Sequence, residues 1–337
     1  MIYYPLLSKG ETIGITAPSS GAPEHLHPVV REAAERMKKR GFKTVIGQTV
    51  WSQNKAASAS PKLRAKEFNS MMKEQSIHHI VPLWGGELLI EMLEYTDFKK
   101  LDKKWIMGYS DISVLLLAIT LKTGLATAHG PNFVDVRGEM MDETTAKWLD
   151  VLSTMEGKSV AQYASSSYQK EWDHANPTSC IFHLTEKTEW KTISGKEESF
   201  SGRLLGGCLD VLRHLAGTPY GNVTEFREQF TLGEPVVWYF ENDQMNAAEL
   251  RRTLVQLKLA GWFTGCAGLL FGRSSASEPV DNYTVEDVYS VLAEELEIPI
   301  VYDIDCGHQP PQMTFVNGAF AEVTASNGRG KVEQFFT

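Results

Sequence analysis

Apolar positions along the first 150 residues alternate between two spacings. Short runs with strand character, Thr12-Ile-Gly-Ile-Thr16, Thr44-Val-Ile46, Ile80-Val-Pro-Leu83 and Trp105-Ile-Met107, are separated by stretches with helical spacing. Val30, Ala33, Ala34 and Met37 fall at i, i+3, i+4 and i+7, and the series stops at Gly41, which predicts a helix with its C-terminal signal. Ser60-Pro61 reads as an N-cap followed by proline at the first helical position, opening a helix to about Gln75. Another helix is predicted over Ile112–Lys122. Strands spaced by helices imply βαβ units and a mostly parallel sheet.

The texture changes near Gly157. From there to about Ser201 the chain is polar and aperiodic, carries Trp172 and Trp190, and reads as a linker plus a long insertion loop. Loops of that size in compact proteins are usually functional or disordered. Beyond it, Pro235-Val-Val-Trp-Tyr-Phe240 predicts a buried strand, and Ala267–Phe271 and Ile298–Tyr302 predict two more. Asn246 with Glu249, and Thr284 with Asp287, resemble capping boxes that open helices. Met313–Val316 and Ala319–Thr324, separated by Asn317-Gly318, read as a hairpin. The predicted organisation is an α/β domain over 1–156, a linker and insertion over 157–201, and a mixed α/β domain over 202–337.

A chain of 337 residues can bury two such cores without a disulfide or metal staple. Its net charge of −9 works against a duplex-binding surface. Cys180, Cys208, Cys266 and Cys306 lie far apart and read as buried thiols of a reducing compartment. No apolar run approaches the roughly 20 residues of a membrane span, and the N-terminus lacks a signal-peptide pattern. A cytoplasmic protein without nucleic-acid or membrane partners is expected. Neither a P-loop nor a G-x-G-x-x-G is present to cradle a nucleotide cofactor, and no cofactor is predicted.

The sharpest chemical feature is Gly108-Tyr-Ser110-Asp-Ile, at a predicted strand-to-helix junction. A serine there has its hydroxyl lifted above the sheet edge, and the next backbone N–H faces a developing oxyanion. The same serine could instead merely cap the helix, and Ile112 stands where a hydrolase elbow often has a second glycine. Glu241 ends the most apolar strand, and His308 lies in Asp303-Ile-Asp-Cys-Gly-His308 after another. They read either as acid and base for Ser110 or as a surface carboxylate and a structural histidine. Asp303, Asp305 and His308, with Glu241 or Asp243, could ligate a cation, but zinc-type spacing is absent and no metal is assigned.

The ordered set Gly14-Ile-Thr-Ala-Pro-Ser19, Trp84-Gly-Gly86, Gly108-Tyr-Ser-Asp111, Gly206-Gly-Cys-Leu209, Glu241, Gly272-Arg273 and Gly307-His308, over roughly residues 10–325, resembles the LD-carboxypeptidase (S66) serine peptidases. The resemblance implies an N-terminal flavodoxin-like parallel-sheet domain and a C-terminal swivelling β/α domain, with a Ser–Glu–His triad in the cleft between them. By that resemblance Ser110 is the nucleophile, His308 the general base and acid, and Glu241 its orienting acid. Backbone N–H groups of Gly86 and Asp111 form the oxyanion hole, with Gly85 against the substrate, and the protein is a homodimer without a cofactor. The family has two branches. One removes the terminal D-alanine of murein tetrapeptides. The other, that of microcin C self-immunity, cleaves the amide joining an acidic amino acid to a modified nucleotide. The insertion with Trp172 and Trp190 resembles the second branch, whose loop aromatics stack on the nucleobase, and Glu87 replaces the aromatic residue usual in murein-cleaving members. The expected activity is therefore that of a serine amidase acting on a small aminoacyl-nucleotide. The alternatives are a murein LD-carboxypeptidase, and a catalytically silent nucleotide- or peptide-binding protein.

Overall fold

In the N-terminal half of the computed structural model, which describes every residue except 174 and 175, strand Thr12–Ile15 lies between Lys43–Ile46 and His79–Ile80, all parallel. Met107–Gly108 pairs in parallel with Thr127–His129. The two groups join because the Ile80 N–H donates to the Trp105 carbonyl at 2.8 Å and Ile80 bridges Ile106. With these five strands numbered in chain order from Thr12–Ile15, the strand order is then 2-1-3-4-5, the flavodoxin-like order of doubly wound sheets. A sixth, antiparallel strand, Phe315–Asn317, is added beside Thr127–His129 from the far end of the chain.

The helices follow their sequence signals. His27–Lys39 buries Val30, Ala33 and Met37, the predicted stripe. Pro61–Lys73 starts at its proline, although Ser60 makes no side-chain capping bond. Ile112–Thr123 is buried at every residue from Ile112 to Leu121. A helix apolar on all sides must be covered on all sides, and this one sits between the two domains. Its Ser113 Oγ accepts the Cys208 N–H at 3.0 Å from the strand Glu198–Cys208.

The C-terminal half builds a separate eight-stranded sheet. Its order is Ser159–Tyr163, Arg329–Phe335, Phe320–Ser326, Glu198–Cys208, Val236–Glu241, Cys266–Gly272, Ile300–Ile304 and Lys191–Thr192. The four strands from Glu198–Cys208 to Ile300–Ile304 run parallel, and Val236–Glu241 is buried throughout. Asn246 accepts the Glu249 N–H, and Thr284 with Asp287 forms the full reciprocal box, so both helices begin where the sequence places them.

Two readings of the sequence change. The stretch 157–201, two of whose residues lie outside the described ones, supplies both edge strands of this sheet, Ser159–Tyr163 and Lys191–Thr192. Strands this short and half-solvated leave too few residues for a period of two to be visible. Nor does Asn317-Gly318 close a hairpin. It hands the chain from the first sheet to the second, since Phe315–Asn317 pairs with Thr127–His129 and Phe320–Ser326 with Glu198–Cys208. The hairpin forms one strand later, at Asn327-Gly328, where both residues have positive φ (52° and 76°) and Ser326 pairs with Arg329. That is the geometry an Asn-Gly hairpin turn requires. Among the described residues no helix is long and apolar enough to cross a membrane.

Candidate active site

Three strand ends meet where the two domains touch. Ser110 follows Met107–Gly108 and precedes the buried helix, with φ at +63°. Side chains with a Cβ rarely adopt that left-handed conformation, and here it turns the hydroxyl away from the strand. The hydroxyl does not cap the helix. Ser110 Oγ lies 3.1 Å from His308 Nε2, and His308 Nδ1 lies 2.6 Å from Glu241 Oε2. Glu241 ends its fully buried strand, and Gly307 brings the histidine to it. Gly307 has φ of +100°, and a Cβ there would stand 2.6 Å from Glu241 Oε2. Only glycine allows that approach.

Charge reinforces the arrangement. Burial disfavours a charged His308 ring, but the Glu241 carboxylate, aided by Asp243 and Asp210, outweighs it and raises the histidine from 6.5 to about 9. Asp243 Oδ1 is 3.7 Å from His308 Nδ1. Asp210 accepts the N–H groups of Asp243 and Gln244, fixing the turn that follows Glu241.

The other flank of Ser110 is built by Asp111. Its buried carboxyl, raised to about 6 by desolvation, accepts the Ser19 hydroxyl at 2.5 Å and the Leu89 N–H at 2.9 Å. Two loops are thereby tied to the start of the helix, and between them runs Gly85-Gly86. A Cβ on Gly85 would lie 2.7 Å from Ser110 Oγ and 3.2 Å from the Asp111 nitrogen. The Ser110 hydroxyl, the Gly85 backbone and the Asp111 amide are thus gathered at one point. The point opens into a cavity of about 900 Å³, with Trp84, Gly86, Arg137, Lys170 and Trp172 among its lining residues.

Two family models match the chain: an LD-carboxypeptidase N-terminal domain over residues 13–130, and an LD-carboxypeptidase C-terminal domain over residues 201–323. The chain belongs to the LD-carboxypeptidase (S66) family. It is 26% identical over 334 residues to the microcin C7 self-immunity protein MccF of Escherichia coli, covering 95% of this chain and 92% of that protein. The crystal structure of an MccF-like protein from Bacillus anthracis superposes with a TM-score of 0.83 at 23% identity, over 99% of both chains. A muramoyltetrapeptide carboxypeptidase from Oxalobacter formigenes superposes with a TM-score of 0.74 at 21% identity, over 96% of this chain and 98% of the other. These two likenesses show the fold. Membership of S66 makes the chain a carboxypeptidase-type hydrolase.

The other site residues expected of this S66 chain divide. Trp172 lines the cavity, donates its indole N–H to the His308 carbonyl at 2.8 Å, and meets Phe182 edge to face. Trp190 does not reach it. Only 3% exposed, it packs in the core of the second sheet and donates to Asp305 Oδ2 at 2.9 Å, so its assignment to substrate is corrected to a structural one. Asp303 and Asp305, weighed as cation ligands, are held separately: Asp303 faces Lys191, and Asp305 faces Arg273, both at 2.8 Å. Asp210, His129 and Arg137 carry no local sequence signal of a role at this site. Asp243 alone had a signal, two residues past Glu241 at the same strand end.

Proposed function

We propose that this protein hydrolyses a small amide by serine catalysis, with Ser110 as nucleophile, His308 as general base and acid, and Glu241 as orienting acid. Ser110 Oγ bonds to the substrate carbonyl carbon while its proton passes to His308 Nε2. The carbonyl oxygen takes up the negative charge and receives the N–H groups of Gly86 and Asp111. Collapse of this intermediate breaks the C–N bond, and His308 returns the proton to the leaving nitrogen. Water then attacks the acyl-enzyme with His308 again as base, releasing the acid and free Ser110. The observation that carries the proposal is the unbroken hydrogen-bonding chain Ser110–His308–Glu241 opening into one cavity.

The substrate we infer is an acidic amino acid joined by an amide to a nucleotide analogue. Trp172 offers a face for a nucleobase. Arg137 and Lys170 offer positive charge for a carboxylate, and Asp243 negative charge for an α-ammonium group. The relative MccF has been crystallised in complex with aspartyl sulfamoyl adenosine, which supports the same class here. The test offers aspartyl sulfamoyl adenosine and an L,D-tetrapeptide to one preparation and follows both by chromatography. Cleavage of the first is expected. Cleavage of the tetrapeptide alone would assign the murein branch. Binding without cleavage of either, with no covalent labelling of Ser110, would make the protein a silent binder.

A further inference from the structure

Glu241 uses only one of its carboxylate oxygens on His308. The other, Oε1, is turned inward and is without a hydrogen-bond partner among the described residues, although the side chain is fully buried. Facing it at 3.9 Å is His129 Nε2, equally buried and equally without a partner. Two unsatisfied polar atoms facing each other in a dry interior are rarely idle.

We propose that His129 is a positioning residue for the triad: its neutral ring donates from Nε2 to Oε1 of Glu241 and locks the carboxylate in the plane that serves His308. The inference rests on the serine mechanism above and adds a member behind it. His129 is rigidly placed, since it ends strand Thr127–His129 and is registered against Gly108, two residues before Ser110. Its ring is held edge-on by Tyr109 and Tyr239 at 6.2 and 5.5 Å. Its Nδ1 lies 4.0 Å from Cys306 Sγ, two residues before His308. Burial keeps the ring neutral, at about 3, and keeps the Cys306 thiol protonated. The thiol can donate to Nδ1, which leaves the ring's one proton on Nε2, where the carboxylate oxygen favours it. The groups around His129 are thus Glu241, His308, Cys306, Tyr109 and Tyr239, drawn from both domains. At 3.9 Å the contact is loose. Such bonds commonly tighten as charge develops in the reacting complex, here when His308 becomes a cation against Oε2. One ring thereby links domain docking to triad alignment.

The test measures the rate at which a fluorophosphonate labels Ser110, which does not depend on the natural substrate. His129→Leu keeps the bulk and removes the donor. His129→Gln places an amide N–H near the Nε2 position. His129→Leu is expected to lower the maximal labelling rate by about 10–100-fold, the usual scale for losing a partner behind a functional side chain. The half-saturating reagent concentration should stay unchanged, and His129→Gln should recover most of the rate. Wild-type labelling by the Leu variant would overturn the proposal. So would a Gln variant no faster than Leu when both fold with native circular dichroism. Should the Leu variant not fold, Gln is compared with Asn, whose amide reaches only the Nδ1 position; equal rates would overturn it. Ser110→Ala separates the two claims, because labelling of that variant would sink the serine mechanism itself.

Discussion

The indole N–H of Trp172 donates to the backbone carbonyl of His308, tying the cavity wall to the residue that bridges Ser110 and Glu241. A ligand stacked on Trp172 would therefore press on the same turn that holds the proposed base. Trp172→Ala is expected to raise KM for an aminoacyl-nucleotide by about 5–150-fold, equivalent to about 1–3 kcal/mol of lost base stacking. Trp172→Phe should keep much of the stacking while releasing the His308 carbonyl, so kcat should fall more than KM rises. Trp190→Phe is the counterpart. It removes a buried bond to Asp305 and should cost about 1–3 kcal/mol of stability with KM unchanged, as read by denaturant unfolding and steady-state kinetics.

The pH profile follows from His308. A base must be neutral to accept the Ser110 proton, and the acidic groups around this ring raise it to about 9. Activity should therefore rise with pH and level off near 9, with kcat/KM falling about tenfold per unit on the acidic side. Asp243→Asn removes one of the charges that raises the histidine, so the acidic limb should move to lower pH. A limb that stays fixed or moves up would show that Asp243 does not act on the ring.

Gly85→Ala tests the closeness of the backbone to Ser110, the proposed nucleophile. The new Cβ would stand 2.7 Å from Ser110 Oγ. Gly85 does not need a positive φ, but its new Cβ would also meet Ser110 Cβ at 2.7 Å, an atom that cannot rotate away. We expect a lowered melting temperature, because Ser110 and the helix start must shift, together with loss of both Ser110 labelling and hydrolysis.

Ser110 carries the strain of a left-handed conformation at the position of the proposed nucleophile. Ser110→Ala should retain that strain and the fold while lowering kcat by about 10³-fold or more. Ser110→Gly should be equally inactive yet melt higher by a few degrees, because glycine adopts positive φ without the roughly 1–2 kcal/mol penalty of an L side chain. Calorimetry of the two variants side by side measures this directly.

Local signals carried far in this chain. The stripe of Val30, Ala33 and Met37, the proline start at Pro61 and the box of Thr284 with Asp287 depend on neighbours within one helical turn, and each appears as read. The Gly-x-Ser turn at 108–110 is also local, so its placement at a strand-to-helix junction was legible. Asn-Gly is a turn signal too, but it occurs twice. Only the pairing partners, Thr127–His129 on one side and Arg329–Phe335 on the other, decide which copy makes a hairpin.

By itself, then, the sequence determined the main alternation of strands and helices, the helix starts at Pro61, Ala247 and Val285, and the strand ends near which Ser110, Glu241 and His308 stand. Only the tertiary structure decided which of two tryptophans faces a cavity and which is core, since both lie in polar stretches and differ in what folds over them. It also decided that His129 stands behind Glu241, although 112 positions separate them in the chain. Helix periods and caps are short-range and written in adjacent residues. The meeting of side chains from distant strands is set by sheet order and register, which emerge only when both domains have closed around the buried helix Ile112–Thr123.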